Sequence, residues 1–203
     1  MASRVAIGLI VCVFAFVSTA RADIIFGLGN SAANKNVGDF ESQTSTSAAG
    51  RILGPDLDND LLAQADQGIT IPASELSLEA TSTEFTTLTF TPLGSDWLAF
   101  EANLAGSEDG TFIVKALDDD GNEFTSATFD LNDTGQNRFF AQAINGQTIT
   151  QVTVIASGAI IEDVGQVRIS QSLVSIPEPS SVAFGAAGVV GLILLRRRKR
   201  AVS

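Results

Sequence analysis

One short stretch of the chain concentrates side-chain oxygens of the kind that bind hard cations. It runs Asp118-Asp119-Asp120-Gly121-Asn122-Glu123, and Ca²⁺ in proteins takes about six to eight oxygen ligands. Asp118, Asp120 and Asn122 stand at alternate positions and are the candidate calcium ligands. An EF-hand loop carries glutamate at its twelfth position, where this chain has Phe129. The sequence therefore leaves two interpretations, a calcium loop and a tight turn at Asp120-Gly121.

Sugar binding depends on another residue type, an exposed aromatic ring that covers the apolar face of a sugar. Trp97 is the one tryptophan of the chain and the candidate ligand-binding residue. On a regular strand its side chain points away from the face of Leu98 and Phe100, which favours exposure. A place in the hydrophobic core is the alternative.

The composition excludes several classes of enzyme. The chain has no histidine, no tyrosine and one cysteine, which rules out a Ser-His-Asp or Cys-His nucleophile and a His-ligated zinc site. Glycoside hydrolysis would need two carboxylates about 5 to 10 Å apart, one with a raised pKa, and no motif selects such a pair. We therefore predict no catalytic residues. A carboxylate-dependent hydrolase acting on extracellular glycan is the alternative.

The body of the chain is strongly acidic. Residues 23–176 carry five basic against 22 acidic side chains, a net charge of −17. Such a charge repels nucleic acid and anionic lipid, so we predict no nucleic-acid partner. Divalent cations or cationic surfaces suit it better, and a solvated acidic surface without a ligand is the alternative. No cofactor is predicted beyond the Ca²⁺ considered above.

The elements that position these residues are predicted to be β-strands. From Thr83 to Val174 the chain is rich in Thr, Val, Ile and Phe, and turn residues return every nine to fourteen positions. This rhythm is typical of antiparallel β-structure, and Asn145-Gly146 is typical of a tight hairpin turn. Residues 60–66 are the exception, with one or two helical turns. We predict an all-β, antiparallel, jelly-roll-like β-sandwich over residues 23–176.

The N-terminus has the three parts of a secretory signal peptide. Arg4 precedes an apolar run from Val5 to Val17, and small residues follow at Ala20 and Ala22. We predict removal of residues 1–22 by cleavage between Ala22 and Asp23. An uncleaved anchor is the alternative, although the run is shorter than the ~20 residues that a membrane span needs.

The C-terminus combines a proline-flanked glutamate, an apolar run and a basic tail. Pro177, Glu178 and Pro179 lie in a linker over residues 177–181, which precedes a predicted transmembrane helix over residues 182–195. The tail over residues 196–203 holds a basic cluster, which favours the cytoplasmic side: Arg196, Arg197, Arg198, Lys199 and Arg200. This orientation places residues 23–176 outside the cytoplasm, in agreement with the signal peptide. An ordinary anchor that is never processed is the alternative.

The ordered triple of motif, apolar helix and basic tail resembles the C-terminal sorting signal of PEP-CTERM proteins. The resemblance implies export through the inner membrane, transient anchoring there, and processing near Pro177-Glu178-Pro179 by an exosortase. It also implies a final place in the cell envelope or extracellular matrix and association with exopolysaccharide. Family members carry unrelated bodies, so the tail does not identify what residues 23–176 do.

A second resemblance concerns the body. Gly38-Asp39-Phe40-Glu41 and the late stretch from Ile161 to Ile169 resemble the first and last strands of jelly-roll domains of the galactose-binding type. The resemblance implies a jelly-roll topology, which fixes the fold better than the ligand. Because histidine and tyrosine are absent, the one cysteine lies in the signal peptide and no catalytic spacing is present, we predict a non-catalytic domain that binds polysaccharide or other surface partners.

Overall fold

The computed structural model describes residues 23–53, 60–73, 77–81, 85–133 and 137–171. Every regular element in those ranges is a β-strand, which confirms the all-β prediction for them. The strands are β1 (Asp23–Leu28), β2 (Lys35–Thr44), β3 (Ser47–Ile52), β4 (Leu61–Ala65), β5 (Ile69–Thr70), β6 (Ser77–Ala80), β7 (Thr87–Pro92), β8 (Trp97–Gly106), β9 (Gly110–Asp118), β10 (Glu123–Thr125), β11 (Phe129–Leu131), β12 (Asn137–Ile144), β13 (Ile149–Ser157) and β14 (Ile161–Gln171).

The strands form two layers through antiparallel pairing. Layer A has the spatial order β1, β12, β8, β14, β6 and β5. Layer B has the order β9, β13, β7, β4, β3 and β2, with β10 and β11 along the far edge of β9. Strand β2 joins the layers, because Asn36 lies opposite Arg168 of β14 and the next residue, Val37, lies opposite Ile52 of β3.

Phenylalanine rings from both layers fill the space between them. Phe90 of layer B lies 4.8 Å from Phe100 of layer A, and Phe112 of layer B lies 5.7 Å from Phe139 of layer A, measured between ring centroids. All four side chains are buried. Burying such a side chain contributes roughly 1.5–3 kcal/mol. The core therefore holds the sandwich together without a disulfide.

Two local predictions need correction. The helical turns predicted over residues 60–66 are wrong, because strand β4 occupies Leu61–Ala65 and buries Leu61 and Ala63 in alternation. Asn145 and Gly146 do have the positive φ values of a tight turn, 59° and 85°. However, β12 belongs to layer A and β13 to layer B. The turn is therefore a corner between layers and does not close a hairpin.

The alternation of apolar side chains changes phase between Phe124 and Phe129. The structure has two short strands here, β10 and β11, which both pair with β9. Between them Ser126 exchanges hydrogen bonds with Val114: its Oγ accepts from the Val114 N–H at 2.9 Å, and its own N–H donates to the Val114 carbonyl at 2.8 Å. The chain therefore leaves the strand conformation between β10 and β11 but keeps two hydrogen bonds to β9 through Ser126.

Both predicted targeting segments lie outside the described residues. These are the signal peptide with Ala20 and Ala22, and the C-terminal segment from Pro177 through the basic cluster at 196–200. Asp23, the residue after the predicted cleavage site, is the first residue of β1. Across the described ranges no helix is long and apolar enough to cross a membrane.

Candidate ligand-binding groove beside a buried carboxylate

Glu101 is a carboxylate that faces outward from layer A and is nevertheless fully buried. It faces outward because Phe100 and Ala102, its neighbours on β8, point into the core. Residues 29–34 bury it, since they run from β1 at the edge of layer A to β2 beside β14 and so cross the outer face. On this crossing segment Ser31 donates to Glu101 Oε2 from its backbone N–H at 2.8 Å and from its hydroxyl at 3.1 Å.

Two arginines share the other oxygen of Glu101. Arg168 lies opposite Glu101 on β14, with Nη1 3.4 Å from Oε1, and the Nε of Arg138 on β12 lies 3.7 Å from the same atom. Arg138 also donates to Asn30 Oδ1 at 2.6 Å and to Gln166 Oε1. A buried carboxylate is stable only when it is paired and hydrogen-bonded. The cluster therefore fastens the crossing segment to layer A.

A β-bulge in β14 places a further polar side chain on this face. Gly165 lies opposite Asn103 and Arg168 lies opposite Glu101, so β14 has one more residue than β8 between these pairs. The backbone of Gln166 takes up the extra length with a φ of 51°. A bulge re-aims side chains that would otherwise alternate. Here it leaves Gln166 exposed and in contact with Arg138.

A groove lies where the bulge leaves the edge of β14 uncovered. Strand β6 pairs with residues 163–165 of β14 and β2 pairs with residues 168–169, so neither covers the two residues between. The β14 groove has a volume of about 230 Å³ and is lined by Asn36, Val37, Leu53, Gln166, Val167 and Arg168. Its chemistry is mixed, since guanidinium and amide groups adjoin the exposed side chain of Leu53. Such a surface suits a ligand with hydroxyl or anionic groups on an apolar frame.

The stretch predicted as a calcium loop forms a hydrogen-bonded turn. Oδ1 of Asp118 accepts from the N–H groups of Asp120 at 3.0 Å and Asn122 at 2.7 Å, and Oδ2 accepts from Asn122 Nδ2 at 2.9 Å. Gly121, with a φ of 81°, closes the turn. Burial alone would raise the pKa of Asp118, but hydrogen bonds from Asn122, Asp120 and Gly121 hold that pKa below its usual value.

This geometry matches the turn interpretation. Among the described residues, no group of three or more acidic or cysteine side chains could hold a metal ion. Calcium binding by Asp118, Asp120 and Asn122 stays a prediction.

The structure confirms the core alternative for Trp97 and excludes an exposed platform. Trp97 is fully buried and stacks on Phe100 with ring centroids 5.3 Å apart. The cause is an irregularity at Leu98: Ala99 lies opposite Ser170, whereas Trp97 lies opposite the adjacent Gln171. The extra residue turns Trp97 into the core and leaves Leu98 39% exposed.

A pair of acidic residues lies on another part of layer A. Asp163 of β14 is directly opposite Glu79 of β6. Burial, and then the negative charge of Glu79, raise the pKa of Asp163, and hydrogen bonds with Ser77 and Val164 lower it only in part. Oδ1 of Asp163 is buried without a hydrogen-bond partner among the described residues.

Sequence reasoning missed the residues around the β14 groove. Three of the five basic residues in the body, Lys35, Arg138 and Arg168, belong to strands of this neighbourhood. One signal was available, because Glu101 is a single charge within the apolar stretch from Trp97 to Leu104. A charge in such a stretch indicates a partner elsewhere in the chain.

Comparison with known proteins gives only loose similarities. No protein-family model matches the chain, and no curated protein matches it. The PEP-CTERM resemblance of the C-terminal segment therefore stays a prediction.

Three solved structures are similar to parts of the chain. One is an exo-β-agarase, with a TM-score of 0.39 and 9% identity over 60% of this chain and 24% of that one. The second is a family 29 carbohydrate-binding module from Piromyces equi, with a TM-score of 0.39 and 9% identity over 76% of this chain and 95% of the module. The third is the family 11 carbohydrate-binding module of a cellulosomal cellulase of Clostridium thermocellum, with a TM-score of 0.35 and 12% identity over 70% and 98%.

The chain spans about a quarter of the length of the agarase. The identities and TM-scores are low for all three structures, so no ligand or activity is transferred from them to this chain.

Proposed function

We propose that the protein is an exported envelope or matrix protein whose β-sandwich binds polysaccharide without catalysis. The observation that carries the binding role is the β14 groove. There Arg168, Asn36 and Gln166 present planar hydrogen-bonding groups next to Leu53. Guanidinium and amide groups bind pairs of neighbouring oxygens, and sugars offer such pairs along a polymer.

The route to the envelope rests on the two ends of the sequence. The signal peptide over residues 1–22 directs export, and the C-terminal segment holds the protein at the inner membrane. An exosortase then processes the chain near Pro177-Glu178-Pro179, and the product remains in the envelope or matrix. Changing Glu178→Ala should leave the C-terminal tail on the protein, and the mass of the C-terminal peptide measures this. A tail present in both the wild type and the variant contradicts the proposed processing.

Binding suits the groove better than catalysis does. The carboxylate that contacts the groove residue Arg168 is Glu101, which is buried and engaged by Ser31, Arg138 and Arg168. A general acid or base must reach the proton that it transfers. Glu101 is covered by the crossing segment and holds no free position toward the groove. The described residues that line the groove contain no acidic side chain.

A second candidate function is hydrolysis of extracellular glycan. One observation favours it: Asp163 and Glu79 are opposed carboxylates, and the pKa of Asp163 is raised. Glycosidases use such a pair with one protonated member. Asp163 and Glu79 lie where β14 pairs with β6, and neither residue lines the β14 groove.

Co-sedimentation with exopolysaccharide separates these functions. The full chain, purified in detergent, should sediment with the polymer and release no soluble sugar. Asn36→Ala should weaken binding about fivefold, since it removes one hydrogen-bonding group of the groove. Gln64→Ala removes an exposed amide from layer B and is the matched control, with no expected change. Released oligosaccharide would favour the hydrolase. If the protein neither sediments with the polymer nor releases sugar from it, both functions are contradicted.

A further inference from the structure

We infer that the ligand of the β14 groove is an acidic polysaccharide whose carboxylates pair with Arg168 in the groove and with Lys35, which precedes the groove residue Asn36 on β2. This inference rests on the proposed function and names its ligand class. It starts from the distribution of the five basic residues of the body, residues 23–176, all of which lie in described strands.

Two of these five cations have their own carboxylate. Arg51 binds Asp39 through Nη2 at 2.6 Å and Nε at 2.7 Å, and Lys115 binds Glu123 at 2.8 Å. Each pair joins neighbouring positions of one layer, and each is electrically neutral. These cations therefore have no charge left over for a ligand.

The other three cations lack such a balance. Arg138 and Arg168 share the single carboxylate of Glu101. Lys35 donates from Nζ to the neutral amide of Gln171 at 3.0 Å, and it has no ion pair among the described residues. Counting Glu101 and Asp60, the described residues around the groove carry three positive and two negative charges, although the body as a whole is strongly negative.

Arg168 is oriented so that one edge of its guanidinium group can bind a ligand. Its Nε donates to Asn36 Oδ1 at 3.0 Å and its Nη1 faces Glu101 at 3.4 Å. These contacts hold the guanidinium plane at the wall of the groove. Nη2 has no hydrogen bond within the described part of the chain, and the side chain is 34% exposed. A fixed guanidinium with a free edge is suited to a carboxylate.

Among the described residues, three acidic groups around this site already have hydrogen-bond or ion-pair partners. Glu101 is buried beneath the crossing segment. Asp60 accepts from the Ile52 N–H at 2.8 Å and from Gln171 Nε2 at 2.9 Å, and Asp39 is paired with Arg51. Exposed charges that lie farther apart than a Debye length, about 8 Å at physiological salt, are largely screened from each other. Local contacts therefore outweigh the net charge of −17 that the sequence predicted to repel anionic partners.

A matched pair of polymers tests the inference. The full chain in detergent is titrated with polygalacturonate and with the same polymer fully methyl-esterified, which keeps the sugar backbone and removes the charge. We expect binding of the acid at least about tenfold tighter than that of the ester, and weaker binding of the acid at high salt.

The outcomes separate this inference from the proposed function. Equal binding of acid and ester, or binding of exopolysaccharide without preference for the acid, overturns the inference and leaves polysaccharide binding standing. If the protein binds dextran sulfate and does not bind polygalacturonate, the inference is also overturned, because the ligand would then be a sulfated polymer. Binding to none of these polymers overturns both.

Three charge-removing variants locate the contact. Arg168→Gln should weaken binding of polygalacturonate about tenfold, and Lys35→Gln, which breaks no ion pair, should weaken it about threefold. Lys115→Gln removes the same charge from layer B and should change binding less than twofold. Thermal melts confirm that each variant is folded, and Lys35→Gln decides the matter if Arg168→Gln does not fold. Equal effects of Lys35→Gln and Lys115→Gln would overturn the inference.

Discussion

The outer faces of the two layers differ, although the same alternation of residues builds both. Layer B presents a row of uncharged or paired side chains across four strands: Gln64, Thr89, Thr153 and Lys115. Thr89 and Thr153 share a hydrogen bond at 3.2 Å. Layer A instead presents a buried carboxylate with two arginines beneath a crossing segment. Alternation thus determines which side chains leave the core, and the path of the chain determines what covers them.

The difference has a consequence for function. Threonine stabilises a strand through its branched side chain, so the face of layer B is explained by sheet formation alone. A buried charge has no such explanation, because burial of Glu101 is unfavourable without its partners. Arg168, one of the residues that hold Glu101, also lines the β14 groove. We therefore expect ligand binding at the β14 groove, where β2 joins the layers, and not on the outer face of β4, β7, β13 and β9 in layer B.

The largest expected effect comes from removing the buried carboxylate of Glu101 in layer A. Glu101→Ala should lower the free energy of unfolding by about 3 kcal/mol, because it leaves two arginines and Ser31 without their common acceptor. Thr153→Ala on layer B is the control, with a loss of less than about 1 kcal/mol. Urea unfolding measures both. Equal losses would show that the two faces do not differ in the way we describe.

A smaller effect concerns the buried carboxyl of layer B. The folded pKa of Asp118 is lowered, so its stabilising contribution is present above its unfolded pKa near 4 and is lost as the pH falls through the folded pKa. Asp118→Asn should cost about 1–2 kcal/mol at pH 7 and flatten the acid limb of the stability curve. Urea midpoints from pH 2 to 7 measure this, and an unchanged acid limb would contradict it.

The smallest effect concerns Asp163 of layer A, and its sign is opposite. The folded pKa of Asp163 is raised, so its stabilising contribution is present below the unfolded pKa and is lost as the pH rises through the folded pKa. Asp163→Asn should therefore stabilise the protein at pH 7 by about 0.5–1 kcal/mol, since it removes repulsion across the strands. Glu79→Gln should act in the same direction. Destabilisation by both variants at pH 7 would contradict the repulsion.

Much of the fold could be predicted because β-strands follow a local pattern. Phe112, Val114 and Ala116 alternate in the sequence and are all buried, as the period of two of a β-strand requires. Residues 60–66 could not be assigned correctly, because a run of that length fits one helical turn as well as a strand. Its pairing with β3 and β7 is a non-local property.

The site could be predicted less well, because it depends on contacts between distant residues. The face of Trp97 is set by an irregularity whose position depends on the register with β14. Glu101 is buried by Ser31, which precedes it by 70 residues. No local pattern in the sequence contains either fact. Targeting segments can be predicted from sequence for the opposite reason, since short linear motifs define them, and those of this chain stay predictions.

Hydrogen exchange of the full chain with and without exopolysaccharide tests the central claim most directly. The method reports protection of backbone amides along the chain, so it distinguishes the two layers in a single measurement. We predict that the polymer slows exchange over residues 31–40 and 164–170, which flank the β14 groove, and leaves residues 148–157 of layer B unchanged. Protection confined to layer B, or to residues 77–81 and their partners in β14, would contradict the assignment of the ligand to the groove.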